Sequence, residues 1–237
     1  MTDLHTHILP EMDDGSGSVL ESLSLLQMER EQGVDTVILT PHLYREREPV
    51  ARFLERRQAA FDRLRAELTQ VTQKDGPKLL LGAEVAWFPS LMGEEQLDRL
   101  CLGGTRYLLL ELHFEPWPPH LLKQVYEFSC STGLTPVLAH VERYLSIQDR
   151  GKIQDLISMG FPMQMNADSL LRFWSRKRCL DLLRSGTWYL GSDCHSLDRR
   201  PPRMGQAVPI LQKKLGVERT AQMLHWRTMR ESEASAV

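Results

Sequence analysis

Short apolar segments recur along the chain and predict buried strands. Their hydrophobic residues are continuous rather than alternating, as is typical of strands that are covered on both faces of a parallel sheet. An opening strand carries His5 and His7, whose spacing of two places both side chains on one face. The other predicted strands span residues 36–40, 79–84, 107–111, 135–140, 162–166 and 188–193.

Between these strands, apolar residues recur at the helical period. Ser18 followed three residues later by Glu21 predicts a capping box at the start of the first helix. Val19, Leu23 and Leu26 then form its predicted buried stripe. The predicted helices span roughly residues 18–31, 49–73, 91–100, 119–131, 146–159, 169–183, 204–215 and 217–230.

The regular alternation of strands and helices indicates an α/β fold with a parallel sheet and right-handed crossovers. At 237 residues, the chain has the length of a single α/β barrel. We therefore predict one domain over residues 1–237, with a closed or nearly closed barrel favoured and a doubly wound open sheet as the alternative. The polar tail after Arg230 is expected to fray.

Composition narrows the function classes. The chain is 42% hydrophobic and 25% charged, with a formal net charge of −2, so bulk charge suggests neither a nucleic-acid nor a membrane partner. No apolar run reaches the roughly 18 residues of a membrane span, and acidic residues occupy the place of a signal sequence. We therefore expect a cytoplasmic protein. The four cysteines lie far apart and predict neither a zinc knuckle nor a disulfide framework.

Candidate metal ligands follow the predicted strands at a shared position. One of these residues alone is explained equally well as a turn cap, an ion-pair partner or a core histidine. The carboxyl ends of parallel strands form the active site of α/β barrels, so a shared position favours one common site. Six of the seven predicted strands end in or just before such a residue, and the exception ends in Asn166. The residues are His5, His7, His42, Glu84, Glu111, His140, Asp193 and His195.

The chemistry of this set indicates which metals suit it. Imidazoles and carboxylates without a thiolate favour Mn, Fe or Zn in an open site over a closed structural zinc site. The set exceeds the needs of one tetrahedral ion, so we predict two or three divalent ions. A carboxylate such as Glu84 can bridge neighbouring ions, which lower the pKa of a bound water and make hydroxide available near neutral pH.

Five motifs resemble those of the polymerase-and-histidinol-phosphatase (PHP) superfamily. They are DLHTH at 3–7, TPH at 40–42, GAE at 82–84, AHVERY at 139–144 and SDCH at 192–195. More narrowly, three segments resemble the manganese-dependent bacterial tyrosine-protein phosphatases of capsule and exopolysaccharide operons, the CpsB/CapC/YwqE type. These segments are DDGS at 13–16, HVERY at 140–144 and RPP at 200–202.

The resemblance implies a distorted (β/α)7 TIM-like barrel, the PHP fold, with a trinuclear site. By motif, the first metal takes His5, His7, Glu84 and Asp193. The second shares Glu84 and adds Glu111 and His140, and the third takes Asp14, His42 and His195. Asp13 is the alternative to Asp14, because spacing does not separate adjacent aspartates. His113 and the segment 43–45 depart from the family pattern, which affects only the expected substrate loops.

The family also implies an activity. A metal-bridging hydroxide is expected to attack the phosphorus of a phosphotyrosine protein, and the substrate is expected to be a bacterial tyrosine kinase of a polysaccharide operon. Arg143, with Arg200 as the second candidate, is expected to hold the phosphoryl oxygens, because a guanidinium fork suits phosphate. A tyrosyl leaving group has a pKa of about 10 and needs little help from a general acid. Oligomerisation is left open.

Three other interpretations remain at this point. Cys194 and Arg200 fit the C-x5-R spacing of cysteine-dependent tyrosine phosphatases, but their loop has no glycine and ends in two prolines without N–H groups to cradle a phosphate. A histidinol-phosphate phosphatase or another small-molecule phosphoesterase would share every ligand. A non-catalytic scaffold bound to a tyrosine kinase would show no metal-dependent turnover.

Overall fold

The structure, a computed structural model, describes residues 1–71 and 76–225. Its strands are all parallel and form two sheets, with the orders β1-β2-β4 and β3-β5-β6-β7-β8-β9. The strands are β1 Thr2–Thr6, β2 Thr36–Leu39, β3 His42–Leu43, β4 Lys78–Leu81, β5 Glu84–Ala86, β6 Tyr107–Glu111, β7 Thr135–Leu138, β8 Met163–Asn166 and β9 Trp188–Gly191.

One predicted strand is divided, and another is followed by a short strand that was not predicted. The strand predicted at 79–84 becomes β4 and β5. The strand predicted at 36–40 corresponds to β2, and β3 follows it after Thr40 and Pro41. Pro41 has no N–H group for the ladder, which ends the pairing of β2 at this point. The interruptions move β3 and β5 into the larger sheet, where His42 pairs in register with Glu84.

The first and last strands lie side by side. The Asp193 N–H donates to the His5 carbonyl oxygen at 2.8 Å, and the His7 N–H donates to the Cys194 carbonyl oxygen at 2.9 Å. Only an isolated bridge between Thr6 and Cys194 joins the two sheets at this edge. The parallel α/β class is therefore confirmed. The strands within residues 1–71 and 76–225 do not form one closed sheet, so closure into a barrel stays a prediction.

The helices agree with the predictions except in three regions. The helix predicted at 91–100 was wrong: the chain there forms short 3-10 turns at Leu91–Gly93 and Leu97–Leu100. The helix predicted at 169–183 is two helices with a break at Arg172. The one predicted at 146–159 begins only at Arg150, because Ser146 ends a 3-10 segment and residues 147–149 are not helical. The helices are α1 Val19–Glu31, α2 Val50–Val71, α3 Leu121–Thr132, α4 Arg150–Ser158, α5 Ala167–Leu171, α6 Phe173–Leu182, α7 Met204–Leu215 and α8 Val217–Leu224.

The predicted ends of α2 and α8, at 73 and 230, and the predicted fraying tail lie outside the described residues. The main hydrophobic core lies between the sheets and the helices. A separate small cluster gathers Leu4, Ile38, Leu109, Val137 and Tyr189 from five different strands. Within the part of the chain that the structure describes, no helix is long and apolar enough to cross a membrane.

Candidate metal centre

Residues from the carboxyl ends of the strands meet in three overlapping groups of potential metal ligands. Within each group, one ligand atom from every residue lies within 4.8 Å of the others. The groups are His5, His7 and Glu84; His42, Glu84 and Glu111; and His7, Asp14, His42 and His195. His140 and Asp193 adjoin the same atoms through Glu84 and the His5–His7 pair. All nine predicted ligands thus lie in one cluster.

His5 and His7 both direct their Nε2 atoms toward the cluster. His5 Nδ1 lies 3.2 Å from the side-chain oxygen of Gln164, and His7 Nδ1 lies 2.8 Å from Asp13 Oδ2. Both oxygens are acceptors, since Gln164 Oε1 also accepts the His140 N–H at 2.7 Å. Each Nδ1 therefore carries the proton, and each Nε2 presents a lone pair to the interior.

Glu84 lies at the centre of the cluster and is fully buried. Its Oε2 atom is 3.1 Å from His5 Nε2, 3.2 Å from His7 Nε2 and 2.9 Å from His42 Nδ1. That oxygen nevertheless has no hydrogen-bond partner. The other oxygen, Oε1, lies 2.8 Å from His140 Nε2. Glu84 thus touches ligands of all three predicted metals, as a bridging carboxylate must.

The two other buried carboxylates flank this centre. Glu111 Oε1 lies 3.2 Å from His140 Nε2. Asp193 Oδ1 lies 3.6 Å from His5 Nε2 and 3.5 Å from His7 Nε2, while Asp193 Oδ2 accepts a hydrogen bond from the Asn166 side-chain amide at 2.7 Å. Asn166, the strand end without a predicted ligand, therefore holds a ligand in place.

The adjacent aspartates of the first loop have different positions. Asp14 Oδ1 lies 3.6 Å from both His42 Nε2 and His195 Nε2. Asp13 faces away from that space and accepts hydrogen bonds from the His7 ring, the His42 N–H and the Gly15 N–H, each within 2.9 Å. The geometry therefore favours Asp14 as the ligand and gives Asp13 the role of orienting His7.

An unusual backbone conformation positions two of these side chains. His140 has a φ of 30° and Asp193 a φ of 55°, in the left-handed region that residues other than glycine rarely adopt. Such strained conformations cluster at functional sites. Gly15 permits the loop to approach the opening strand, since a Cβ atom there would lie 2.2 Å from the His7 carbonyl oxygen.

The electrostatics favour carboxylate anions beside the imidazoles. Burial opposes ionisation, but His5, His42 and His140 outweigh it and hold the pKa of Glu84 well below its usual range. The same balance lowers the pKa of Asp193 to about 2, with His5, His7 and His140 as the counter-charges. Although burial disfavours the imidazolium, the hydrogen bonds that His140 donates to Glu111 and Glu84 raise its pKa to about 10. Glu84 and Asp193 therefore stay ionised, which is the state that binds a cation.

These features fit divalent metal ions. Imidazole lone pairs and a carboxylate oxygen point at one another at 2.9–3.2 Å, an arrangement that is unfavourable unless protons or a cation lie between them. Buried polar atoms without a partner include Glu84 Oε2, His42 Nδ1 and His140 Nδ1. The donor set contains no thiolate, which suits Mn, Fe or Zn.

Two arginines border the cluster. Arg200 contacts Asp193 Oδ2 at 2.5 Å and donates to His195 Nε2 at 3.0 Å. Arg143 lies 3.8 Å from the same Asp193 oxygen, and its guanidinium carbon stands 4.3 Å above the Phe114 ring. Both side chains remain more than 40% exposed, so both can reach an anion in the cleft.

A cleft of about 370 Å³ opens above the cluster. Its lining includes the aromatic residues Tyr44, Trp87, Phe88 and Phe114, together with Arg143 and Arg200. Phe114 stacks on the His140 ring with centroids 5.4 Å apart. His113 also lines the cleft. A flat aromatic group that carries an anion matches these walls.

Supporting residues were missed in the sequence analysis. Gln164 interrupts an apolar strand and is fully buried, a pattern that signals a required hydrogen bond. Asp3 accepts the Ser192 N–H at 2.9 Å and the His5 N–H at 3.2 Å, so it joins the first and last strands beneath the cluster. Glu29, from α1, hydrogen-bonds to Asp3.

Cys194 does not have the setting of a nucleophile. It is fully buried, and burial together with the charges of Glu29 and Asp3 raises the pKa of its thiol well above the usual range. Reactive cysteines need the opposite, an accessible site that stabilises the thiolate. The structure therefore argues against the cysteine-dependent mechanism.

Known proteins are similar to this chain in sequence and in fold. The family model for capsular polysaccharide synthesis, CpsB/CapC, matches residues 1–230. Tyrosine-protein phosphatase CpsB of Streptococcus pneumoniae is 29% identical over 243 residues, which cover 94% of each chain. Tyrosine-protein phosphatase YwqE of Bacillus subtilis is 30% identical over 231 residues, 92% of this chain and 86% of that protein. A crystal structure from work on YwqE and CpsB, described as metal-dependent tyrosine phosphatases, matches with a TM-score of 0.80 at 27% identity, covering 94% of this chain and 91% of that one.

Proposed function

Because the chain belongs to the CpsB/CapC family of capsular polysaccharide synthesis, we propose that it is a metal-dependent protein-tyrosine phosphatase. Relatives that match over most of their length bear the name tyrosine-protein phosphatase. The observation that carries the proposal is the cluster around Glu84, where one buried carboxylate contacts four imidazoles. A cleft with aromatic walls and two arginines opens directly above it.

We propose three divalent ions, with manganese as the preferred metal. His5, His7, Glu84 and Asp193 would hold the first, and Glu84, Glu111 and His140 the second. Asp14, His42 and His195 would hold the third, which their group of mutually close ligand atoms supports. Bound ions supply Lewis-acid activation of a water molecule and offset the charge of the phosphoryl group.

The chain's own residues position the substrate. The phosphotyrosine ring lies between the aromatic walls of the cleft, beside Phe114. Arg143 and Arg200 bind the phosphoryl oxygens, for which their planar forks are suited. Phe114 holds the Arg143 guanidinium over its face, which limits the motion of that side chain before substrate binds. The phenolate that leaves has a pKa of about 10, so no side chain needs to protonate it early.

We also propose that the two sheets close into one barrel and that the substrate is a tyrosine kinase. The two sheets form one distorted (β/α)7 barrel in a single domain, as the inner cluster of Leu4, Val137 and Tyr189 and the backbone hydrogen bond from Asp193 to His5 support. The substrate is a phosphotyrosine protein, and a tyrosine kinase that acts in polysaccharide synthesis is the proposed one. The family's role in capsular polysaccharide synthesis supports this choice.

A comparison of substrates tests the function. With manganese supplied, kcat/KM is measured for a phosphotyrosine peptide, the matching phosphoserine peptide and histidinol phosphate. We expect the phosphotyrosine peptide to be the best substrate, because its ring fills the aromatic cleft. A kcat/KM that is higher for histidinol phosphate than for the phosphotyrosine peptide would show that the enzyme acts on small phosphate esters. Absence of turnover on all three, with metal bound, would leave only a scaffold role.

A further inference from the structure

A second cavity, of about 530 Å³, adjoins the reaction cleft. Arg143, Asp193 and Arg200 line both spaces, so the two lie side by side. The second cavity, here called the arginine groove, lies between the segment that follows β8 and the loop that follows β9. Its lining includes five arginines but only two aspartates: Arg143, Arg172, Arg199, Arg200, Arg203, Asp168 and Asp193.

Asp168 organises the groove without neutralising it. Its Oδ2 atom accepts a hydrogen bond from Arg172 Nε at 2.6 Å, and its Oδ1 atom lies 3.3 Å from Arg203 Nη1. One carboxylate therefore holds two guanidinium groups that come from different elements. Within the described residues, the Arg199 side chain has neither a hydrogen bond nor an ion pair. The groove thus keeps an excess of positive charge although the chain as a whole is slightly acidic.

The part of the reaction cleft lined by Arg45 and Glu46 lacks this excess. There, Arg45 forms an ion pair with Glu94 at 2.5 Å, and Glu46 adds a further negative charge to the lining. The positive charge of Arg45 is therefore offset by neighbouring carboxylates, whereas the arginine groove keeps its excess. Guanidinium groups bind carboxylates and phosphates as charge-assisted pairs, so the groove fits anionic side chains.

We propose that the arginine groove is a specificity subsite that binds an anionic side chain, carboxylate or phosphate, close to the phosphotyrosine in the substrate sequence. The inference rests on the proposed phosphatase function and adds a selection among phosphotyrosine peptides. An extended peptide advances about 3.3–3.6 Å per residue, so a group within about three residues of the phosphotyrosine reaches the adjoining groove. Arg172, Arg199 and Arg203 contact that group, and Asp168 is a positioning residue for two of them.

Binding and turnover of designed peptides test the subsite. Each peptide has one phosphotyrosine and either neutral flanks, glutamate flanks or phosphoserine flanks, on the amino-terminal or carboxyl-terminal side. Phosphoserine supplies a second phosphate without a second phosphotyrosine. Kd is measured with peptides in which a non-hydrolysable phosphonate replaces the phosphotyrosine, and kcat/KM with the phosphotyrosine forms. The manganese-loaded protein is used throughout.

We expect anionic flanks on one side to tighten binding and raise kcat/KM by about fivefold to tenfold over neutral flanks, as charge-assisted contacts at a half-exposed site allow. A larger effect of phosphoserine than of glutamate identifies phosphate as the preferred anion, and the reverse identifies carboxylate. In the double variant Arg172→Gln/Arg199→Gln, the ratio between anionic and neutral peptides falls toward one. The matched control Arg178→Gln/Arg184→Gln removes the same charge from residues outside the groove lining and retains the ratio.

Equal Kd values for neutral and anionic peptides in the unmodified protein would overturn the subsite. So would a preference that survives in the Arg172→Gln/Arg199→Gln variant. Failure of the proposed phosphatase function gives a different result. In that case no phosphotyrosine peptide is hydrolysed, but the ratio of Kd values between neutral and anionic peptides, and its loss in the double variant, still tests the groove.

Discussion

The His5 and His7 rings present their Nε2 atoms to each other at a distance of 3.0 Å, and Glu84 Oε2 lies 3.1 and 3.2 Å from those same two atoms. Gln164 and Asp13 occupy the other nitrogen of each ring. The inward atoms are therefore left with lone pairs that cannot satisfy one another. A divalent ion between them resolves this conflict, and that requirement underlies the following predictions.

The two neighbouring aspartates are expected to differ in their effect on metal binding. Asp14→Asn removes a proposed ligand and should lower the number of bound ions as well as turnover. Asp13→Asn keeps the ligands but weakens the orientation of His7, which typically costs about 10- to 100-fold in metal affinity. Metal content across a manganese titration distinguishes them. If Asp14→Asn kept the full number of bound ions and Asp13→Asn lost an ion, Asp13 would be the ligand and Asp14 would not.

Cys194 is expected to be dispensable for chemistry. Its thiol is buried, with a raised pKa, so Cys194→Ser should retain kcat within about threefold of the unmodified protein, since Ser is nearly isosteric but leaves a buried hydroxyl. Turnover of a phosphotyrosine peptide and metal content are measured together. Loss of turnover in a variant that still binds its metals would restore the cysteine mechanism.

The arginines at the cleft are expected to act on the transition state. Arg143→Lys and Arg200→Lys keep the charge but lose the planar fork, and each should lower kcat by about 10- to 100-fold. Metal content should not change. The control is Arg150→Lys, at an exposed position on α4 that lines neither cavity. Unchanged kcat in both cleft variants would remove the arginines from the mechanism.

The buried pair of Asp3 and Glu29 predicts a pH dependence of stability. Burial, and then the charge of Asp3, raises the pKa of Glu29 well above its ordinary value. The folded state therefore binds this proton more tightly than the unfolded chain. The group's contribution to stability is fully present below the unfolded pKa and is lost as pH rises toward the folded pKa, at a rate of at most about 1.4 kcal/mol per pH unit.

Glu29→Gln keeps a hydrogen-bonding side chain beside Asp3 but cannot ionise. We expect this variant to have a higher unfolding temperature than the unmodified protein at pH 8, with a smaller difference at pH 5.5. Thermal unfolding at a fixed metal concentration measures both values. A variant that is less stable at pH 8, or a difference that grows on acidification, would show that Glu29 is ionised in the fold.

The sequence predicted the parallel α/β class because strands buried on both faces are continuous apolar runs. It predicted neither the short strand β3 after Thr40–Pro41 nor the division of the strand at 79–84 by Gly82–Ala83. Apolar pattern alone does not reveal which residues leave the ladder. The helix predicted at 91–100 failed because its leucines are equally compatible with 3-10 turns against the core, where Leu91, Leu97 and Leu100 are buried.

Eight of the nine predicted ligands were chosen from their position at strand ends and Asp14 from the family motif, whereas the residues that support them were not predicted. The first helix shows why. Its predicted stripe was Val19, Leu23 and Leu26. The helix is turned so that Ser22 and Glu29 are fully buried, and Leu26 is the only residue of the predicted stripe that is buried. Buried polar residues that hydrogen-bond across distant strands carry no local hydrophobic signal, so only the three-dimensional structure identifies their partners.

The most direct test of the metal-centre account is one activity measurement before and after metal exchange. The protein is treated with a chelator, dialysed, and assayed on a phosphotyrosine peptide with and without added manganese, with bound metal measured in each sample. We predict that chelation abolishes turnover and that manganese restores it, while the double variant His5→Ala/His7→Ala stays inactive and binds fewer ions. Turnover that persists without metal, or full activity in the double variant, would contradict the account.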